Sequence, residues 1–249
     1  MNKIKISVKN LNKSFGKKIV LQNINLDIYE NECLVIMGGS GCGKTVFIKI
    51  LSGLLNSDSG SKIIIDSTDI NTLNEYNKLK LFDKISFAFQ LNALFDSYTI
   101  WENIMFKYLF SNKYSKKEMI EIARKKLSDV DLSDYILDFY PKDISGGMQK
   151  RVAIARSLAS NPEIIFFDEP TSGLDPLTSE KIAKLIKNCD QYYGKKITKI
   201  SIMHDVKSAL SIADRIVFLK DGVIKWIGKP SEIKTTDNTD ILKFMESGM

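Results

Sequence analysis

Apolar and polar residues alternate early in the chain, first at Ile4, Ile6 and Val8 and again at Ile24, Leu26 and Ile28. A period of two predicts strands with one face toward a core. The run Leu34-Val35-Ile36-Met37 does not alternate and stops at glycine, which predicts a short strand covered on both faces, as in a parallel sheet. From Thr45 the spacing becomes helical, with Phe47, Ile50, Leu51 and Leu54 on one side and Gly53 near the end. Residues 63–65 and 85–89 read as further strands. Positions 91–159 are mostly helical in pattern. Ser115 and Glu118 have capping-box spacing ahead of Met119, Ile122, Ala123 and Leu127, and a second helix opens near Gly147 with Met148, Val152, Ala155 and Ala159. Strands return at Ile164-Ile165-Phe166-Phe167, at Ile200 and Ile202, and at Ile216-Val217-Phe218-Leu219. Between them Asp175-Pro176 starts a helix, Asp as cap and Pro at the first position, with Ile182, Leu185, Ile186 and Cys189 as its stripe. The pattern predicts an α/β domain whose strand–helix alternation flanks a helical insertion. The polar stretch 229–249, with the small apolar patch Ile241, Leu242, Phe244 and Met245, is a tail or a terminal helix.

Composition narrows the class. A chain of 249 residues, 44% hydrophobic and 27% charged with 5 Pro, is a folded domain at the upper end of single-domain size and excludes disordered or collagen-like chains. Cys33, Cys42 and Cys189 cannot all pair, which points to a reducing compartment. The net charge of +6 comes from lysines scattered among Ile and Asn, with arginine only at 124, 151, 156 and 215, so no nucleic-acid groove is expected. No stretch reaches the ~18 apolar residues that cross a bilayer. The first eight residues lack the apolar core of a signal peptide. Any membrane work is expected to run through a partner.

Gly38-Gly39-Ser40-Gly41-Cys42-Gly43-Lys44-Thr45 fits G-x-x-x-x-G-K-[ST] between a buried strand and a helix. Glycines let the backbone wrap a phosphate and turn its N–H groups inward, and the helix N-terminus adds partial positive charge. Lys44 is expected at the β- and γ-phosphates and the Thr45 hydroxyl on Mg²⁺. Cys42 lies inside the loop. Its thiol is either made acidic by Lys44 and the helix end or is simply a small side chain at a variable position, the reading preferred here. Cys33 and Cys189 are expected to be buried apolar residues.

The strand 164–167 ends in Asp168-Glu169. Consecutive residues at a strand end project differently, so Asp168 can face Mg²⁺ while Glu169 faces the water that attacks the γ-phosphate. Together the two motifs predict a P-loop NTPase. Between them Ile144-Ser145-Gly146-Gly147-Met148-Gln149-Lys150-Arg151 opens a helix and makes a second anion site. Two phosphate sites on separate subdomains predict one nucleotide clasped between two copies of the chain.

With these residues the chain resembles the ATP-binding-cassette (ABC) family over nearly its whole length. Phe15 matches the aromatic residue that stacks on adenine. Gln90 matches the Q-loop glutamine, a Mg²⁺ sensor that faces the membrane partner. Ser172-Gly173-Leu174-Asp175 matches the D-loop, and His204, the single histidine, matches the switch residue that contacts the γ-phosphate. The resemblance implies a single domain, 1–249. Its core is RecA-like with a mixed sheet (about 1–90 and 160–228), joined by an N-terminal antiparallel β-subdomain, an inserted α-helical subdomain (about 91–159) and a short tail (229–249). It implies ATP and Mg²⁺ as ligands. Glu169, His204, Gln90 and Lys44 take catalytic roles. Phe15, residues 38–45, Val46, Ser145, Gly146, Gly147 and Asp175 meet the nucleotide, and Thr45, Gln90 and Asp168 meet the metal. Ile144 stands where the family usually has Leu, and Val46 replaces a second hydroxyl, which removes one α-phosphate contact.

Ala93-Leu94-Phe95-Asp96-Ser97, with Asp96 where most importers have proline, is similar to the ATP-binding subunits of Mla-type (Mkl-like) lipid transport systems, and Met148 agrees. That similarity implies a homodimer at the cytoplasmic face of the membrane, a separate permease and an MCE-domain protein. Residues 91–110 would receive the permease. An amino-acid importer or a lipoprotein-release system keeps the same chemistry with a different cargo. A soluble ABC protein acting on ribosomes or DNA fits less well, since the chain has a single cassette and no coiled-coil or zinc-bearing insertion.

Overall fold

The computed structural model describes residues 3–89, 93–192 and 196–247. Two long strands, β1 (Ile4–Phe15) and β2 (Lys18–Tyr29), open the chain as an antiparallel pair. β3 (Cys33–Met37) then enters the centre of a second sheet and leads to α1 (Lys44–Leu51). β4 (Lys62–Ile65) and β5 (Thr68–Asp69) return to the first sheet, which has the order β2-β1-β4-β5. After α2 (Glu75–Phe82) and β6 (Ile85–Ala88) come α3 (Ile100–Ile104), α4 (Lys116–Asp129) and α5 (Gly146–Ala159). The chain re-enters the second sheet as β7 (Ile164–Asp168). It continues through α6 (Pro176–Asn188), β8 (Thr198–Ile202) and α7 (Val206–Ile212) to the hairpin β9 (Arg215–Lys220) and β10 (Val223–Gly228). It ends in α8 (Thr239–Ser247).

The second sheet has the order β10-β9-β3-β8-β7-β6, parallel except for the β10–β9 hairpin. The fold is therefore an α/β cassette with an antiparallel β-subdomain and a mixed sheet. The non-alternating runs belong where two faces are covered: β3, β7 and β8 are buried at every residue. Alternate residues of those strands serve different cores. Leu34, Ile36, Ile164 and Phe166 join the β-subdomain and α1, while Val35, Met37, Ile165 and Phe167 join the helices of the 100–159 region and α6–α7. Two polar members of β8, Thr198 and Lys199, find partners in the interior, whereas the buried Ser201 hydroxyl has none among the described residues. Lys199 donates to Asp190 at 2.8 Å and to the Lys187 carbonyl at 3.1 Å.

Local expectations meet the structure with a few differences. The Ser115–Glu118 capping box and the Asp175 cap with Pro176 at the first turn are both formed. α1 stops at Leu51, so Leu54 lies beyond it and is exposed. In β1 the alternation breaks down. Ile4 is exposed, whereas Lys5 is buried against Asp66 (2.8 Å) and Glu163 (2.6 Å), because this strand of the first sheet passes the residue that precedes β7. The end of the chain forms a helix, with Ile241 and Met245 buried and Phe244 beside Phe218. No helix among the described residues is long and apolar enough to cross a membrane.

Candidate functional site

The loop between β3 and α1 is shaped by contacts that only glycine tolerates. Gly38 has φ +151°, and a Cβ there would lie 2.0 Å from the Leu219 carbonyl oxygen of β9. Gly43, the N-cap of α1, has φ +105°, and its Cβ would meet Leu21 and the Val20 carbonyl below 3.0 Å. The loop is thus pressed between β9 and β2 while Gly39, Ser40 and Gly41 stay exposed. Lys44 is buried and folds back over the loop, its Nζ donating to the carbonyls of Gly38 and Gly39 at 2.9 Å each. A cleft of about 610 Å³ runs along the loop and is bounded by Lys18, Ile19, Gly39, Ser40, Gly41 and Cys42, among others. Val46 is partly buried against the first core, and Phe15, at the end of β1, is half exposed with Lys13 above its ring.

The second half of the site comes from β7. Its register with β8 puts Asp168 opposite Ile202, and the Thr45 hydroxyl donates to Asp168 Oδ1 at 3.3 Å. Burial, reinforced by the neighbouring Glu169 charge, raises the Asp168 carboxyl above its ordinary range. The Thr45 hydrogen bond and Lys49 and Lys44 oppose that shift. A buried carboxylate beside a hydroxyl, short of positive charge, suits a hard divalent cation that also takes phosphate oxygens. Glu169 leaves the strand with φ +50°, its N–H donating to the Ile202 carbonyl at 3.2 Å. Its Oε1 lies 2.5 Å from His204 Nε2, which follows β8. Both side chains also line a cavity of about 690 Å³ between α6 and α7.

Lys44, Thr45, Asp168, Glu169 and His204 therefore converge at the carboxyl ends of β3, β7 and β8. Ser145, Gly146 and Gly147 do not join them. They form the first turn of α5, where the Ser145 hydroxyl accepts from Met148 N–H at 3.3 Å and Gly147 lies against Thr178 and Leu174. Ser145 and Gly146 are exposed, so this turn offers its N–H groups outward. Asp175 caps α6 through Thr178, whose side-chain and backbone hydrogen bonds hold its carboxyl below the usual range. Gln90 lies outside the described residues. Cys42 is not an activated thiol: burial raises it more than Lys44 lowers it. Cys33 and Cys189 are buried and pushed up to about 12 by the same cause.

Some contacts around the site are not announced by the motifs. Lys150 of α5 donates to the Ser172 carbonyl, a long-range tie that pattern reading does not reach. Asn103 is wholly buried. Its side chain accepts from Phe95 N–H and donates to the carbonyls of Phe95, Tyr98 and Thr99, which shapes the loop ahead of α3. A buried amide that meets so many backbone groups in one loop leaves only its residue type as a signal.

Comparison with known proteins identifies the family and the fold. The model of the family described as "ABC transporter" matches residues 21–172. The arginine transport ATP-binding protein ArtM of Bacillus subtilis (strain 168) is 40% identical over 227 residues, 91% of this chain and 92% of that protein. Among solved structures, the dimeric post-hydrolysis state of the cassette MJ0796 bound to ADP and Pi superposes with a TM-score of 0.80 at 35% identity, covering 90% of this chain and 98% of that one. CbiO1 from Clostridium perfringens, part of the transporter complex cbiONQ, reaches 0.83 at 26% identity over 98% and 95%. A nucleotide-loop cassette with this sheet order and these relatives is an ABC ATPase, and the chain belongs to the ABC transporter family as an ATP-binding subunit.

Proposed function

We propose that this subunit drives the movement of phospholipid or a related lipid through a separate permease, by ATP-dependent closure of a homodimer at the cytoplasmic face of the membrane. The carrying observation is the segment 93–103, which has Asp96 in place of proline and Asn103 as its internal brace. Together with residues 106–110 it displays an aromatic surface. Phe95 and Phe110 are exposed, and Phe106 stacks on Phe95 at 4.1 Å and meets Phe110 edge-on. Arg156 ties the segment to α5 through the Ala93 carbonyl at 2.7 Å. Trp101 and Tyr108 are core residues, so the docking surface is formed by the other rings. A permease and an MCE-domain protein are the partners this reading requires.

In the mechanism, the loop 38–45 encloses the phosphates and Phe15 receives the base. Lys44 exchanges its two carbonyl partners for β- and γ-phosphate oxygens. Thr45 and Asp168, with Gln90, would hold Mg²⁺, which when bound would neutralise charge on the phosphates. Water attacks the γ-phosphorus, its proton passes to the Glu169 carboxylate, and the bond to the ADP oxygen breaks. His204 holds Glu169 and the γ-phosphate in register. Ser145, Gly146, Gly147 and Asp175 of the second copy cover the open side of the nucleotide. The outward exposure of that turn, away from its own chain's loop, supports such a division.

A second reading, amino-acid import, rests on the 40% identity to an arginine transport subunit. Affinity purification of the tagged chain from detergent-solubilised membranes tests both. A polytopic permease together with an MCE-domain protein and bound lipid is the expected result. A permease with an amino-acid-binding protein would overturn the lipid reading and leave the ATPase chemistry intact.

A further inference from the structure

We propose that Lys150 is a positioning residue for hydrolysis. It clamps the turn that presents Glu169 and so ties the helix headed by Ser145 to the base of its own chain, an inference that rests on the reading of Glu169 given above. Lys150 sits in the second turn of α5, about 7.5 Å along the axis from Ser145. Its Nζ donates to the Ser172 carbonyl and lies 3.3 Å from Ser172 Oγ. Ser172 N–H in turn donates to the Glu169 carbonyl at 3.1 Å and closes the turn Glu169-Pro170-Thr171-Ser172.

That turn needs holding. Glu169 is a non-glycine residue at φ +50°, a conformation that persists only where its surroundings impose it. One restraint is its N–H bond to Ile202 in β8. Another is the Ser172 bond, and Ser172 is tied from outside by Lys150. The amine is partly buried, which lowers its pKa, and the Glu169 charge is the influence that opposes this. A displacement of α5 is thereby passed to the backbone that aims the Glu169 carboxylate. Since Ser145 begins the same helix, a phosphate of the partner's nucleotide seated there gains a direct mechanical route to this chain's base. Loss of Lys150 should impair turnover and leave nucleotide binding alone, because the β3–α1 loop makes no use of it.

Steady-state and single-turnover ATP hydrolysis are measured for the wild type, Lys150→Met and Lys150→Gln, each also combined with Glu169→Gln. Lys150→Met should lower kcat about 10- to 100-fold, the range for loss of a charged hydrogen bond, with the KM for ATP changed by less than about threefold. Lys150→Gln keeps an N–H donor on a shorter arm and should recover at least about a third of the lost rate constant on a logarithmic scale. In the Glu169→Gln background, Lys150→Met should alter residual hydrolysis by less than about twofold, since a residue acting through Glu169 has nothing left to position. Equal losses in both backgrounds, or a Lys150→Met enzyme at wild-type kcat, would overturn the inference while Glu169 keeps its role. A fully active Glu169→Gln enzyme would remove the base assignment and the inference with it. Should Lys150→Met fail to fold, Lys150→Ser takes its place with the same expectations.

Discussion

Alanine at Gly38 tests how closely the phosphate loop passes β9. The added Cβ would stand 2.0 Å from the Leu219 carbonyl oxygen, a full ångström inside the 3.0 Å that packed side chains keep, and 2.9 Å from Cys42 Sγ. The sulfur can turn away. The carbonyl cannot, because β9 is paired with β10 on one side and β3 on the other. Positive φ costs alanine about 1–2 kcal/mol, and overpacking against a fixed backbone adds about 1–3 kcal/mol. The total, about 2–5 kcal/mol, should lower the melting temperature of a domain this size by roughly 5–15 °C. Two neighbours separate the contributions. Gly41, at φ +74° with open space around its Cβ position, should show only the conformational part when changed to Ala. Gly39→Ala, with nothing within 4 Å, should stay within about 0.5 kcal/mol of the wild type. Urea unfolding of the nucleotide-free protein gives the three differences directly. If Gly38→Ala proved no less stable than Gly41→Ala, the loop would not be pressed on β9, and the cradle derived from that approach would be wrong.

Two further outcomes follow from the ionisable groups. Burial raises the Asp168 carboxyl, so the folded chain keeps that proton to higher pH than the unfolded one. The associated stability is complete below the ordinary value of 3.8 and fades as pH rises through the raised value. Asp168→Asn should remove that slope in nucleotide-free protein, so the variant's melting temperature rises relative to wild type as pH increases, with Mg-ATP stabilisation lost. A difference that stays constant with pH would contradict this. Cys33 and Cys189, held protonated up to about 12, should resist a short iodoacetamide pulse near pH 8 until urea unfolds the chain. Mass spectrometry that found either one labelled in native protein, at the rate of a free thiol, would contradict the buried placement.

The phosphate loop, the Asp168–Glu169 pair and the cap of α6 were legible because each is a local signal, a few residues whose chemistry needs no distant partner. The strand order was not, since nothing in Leu34-Val35-Ile36-Met37 names β8 and β9 as its neighbours. α2 escaped notice for a different reason. It is only eight residues long and buries none of them fully, so its few apolar positions make too short a run to set a period. Lys5 misled in the opposite direction, because alternation assigns it to water while two carboxylates hold it inside. The tie from Lys150 to Ser172 depends on where the chain returns after α5 and β7, and the four-way bonding of Asn103 on how the short loop from Phe95 to Thr99 wraps its side chain; residue spacing encodes neither.

The central strands are a partition wall with different tenants on each side. Phe166 packs with the β-subdomain and the helix that follows the phosphate loop, and Phe167, its sequence neighbour, with the helices of the 100–159 region. Such a wall lets one compartment be redecorated while the other stays untouched. A lineage can change the surface of those helices without redesigning its engine, and an engineer grafting surfaces between cassettes should cut along the same line.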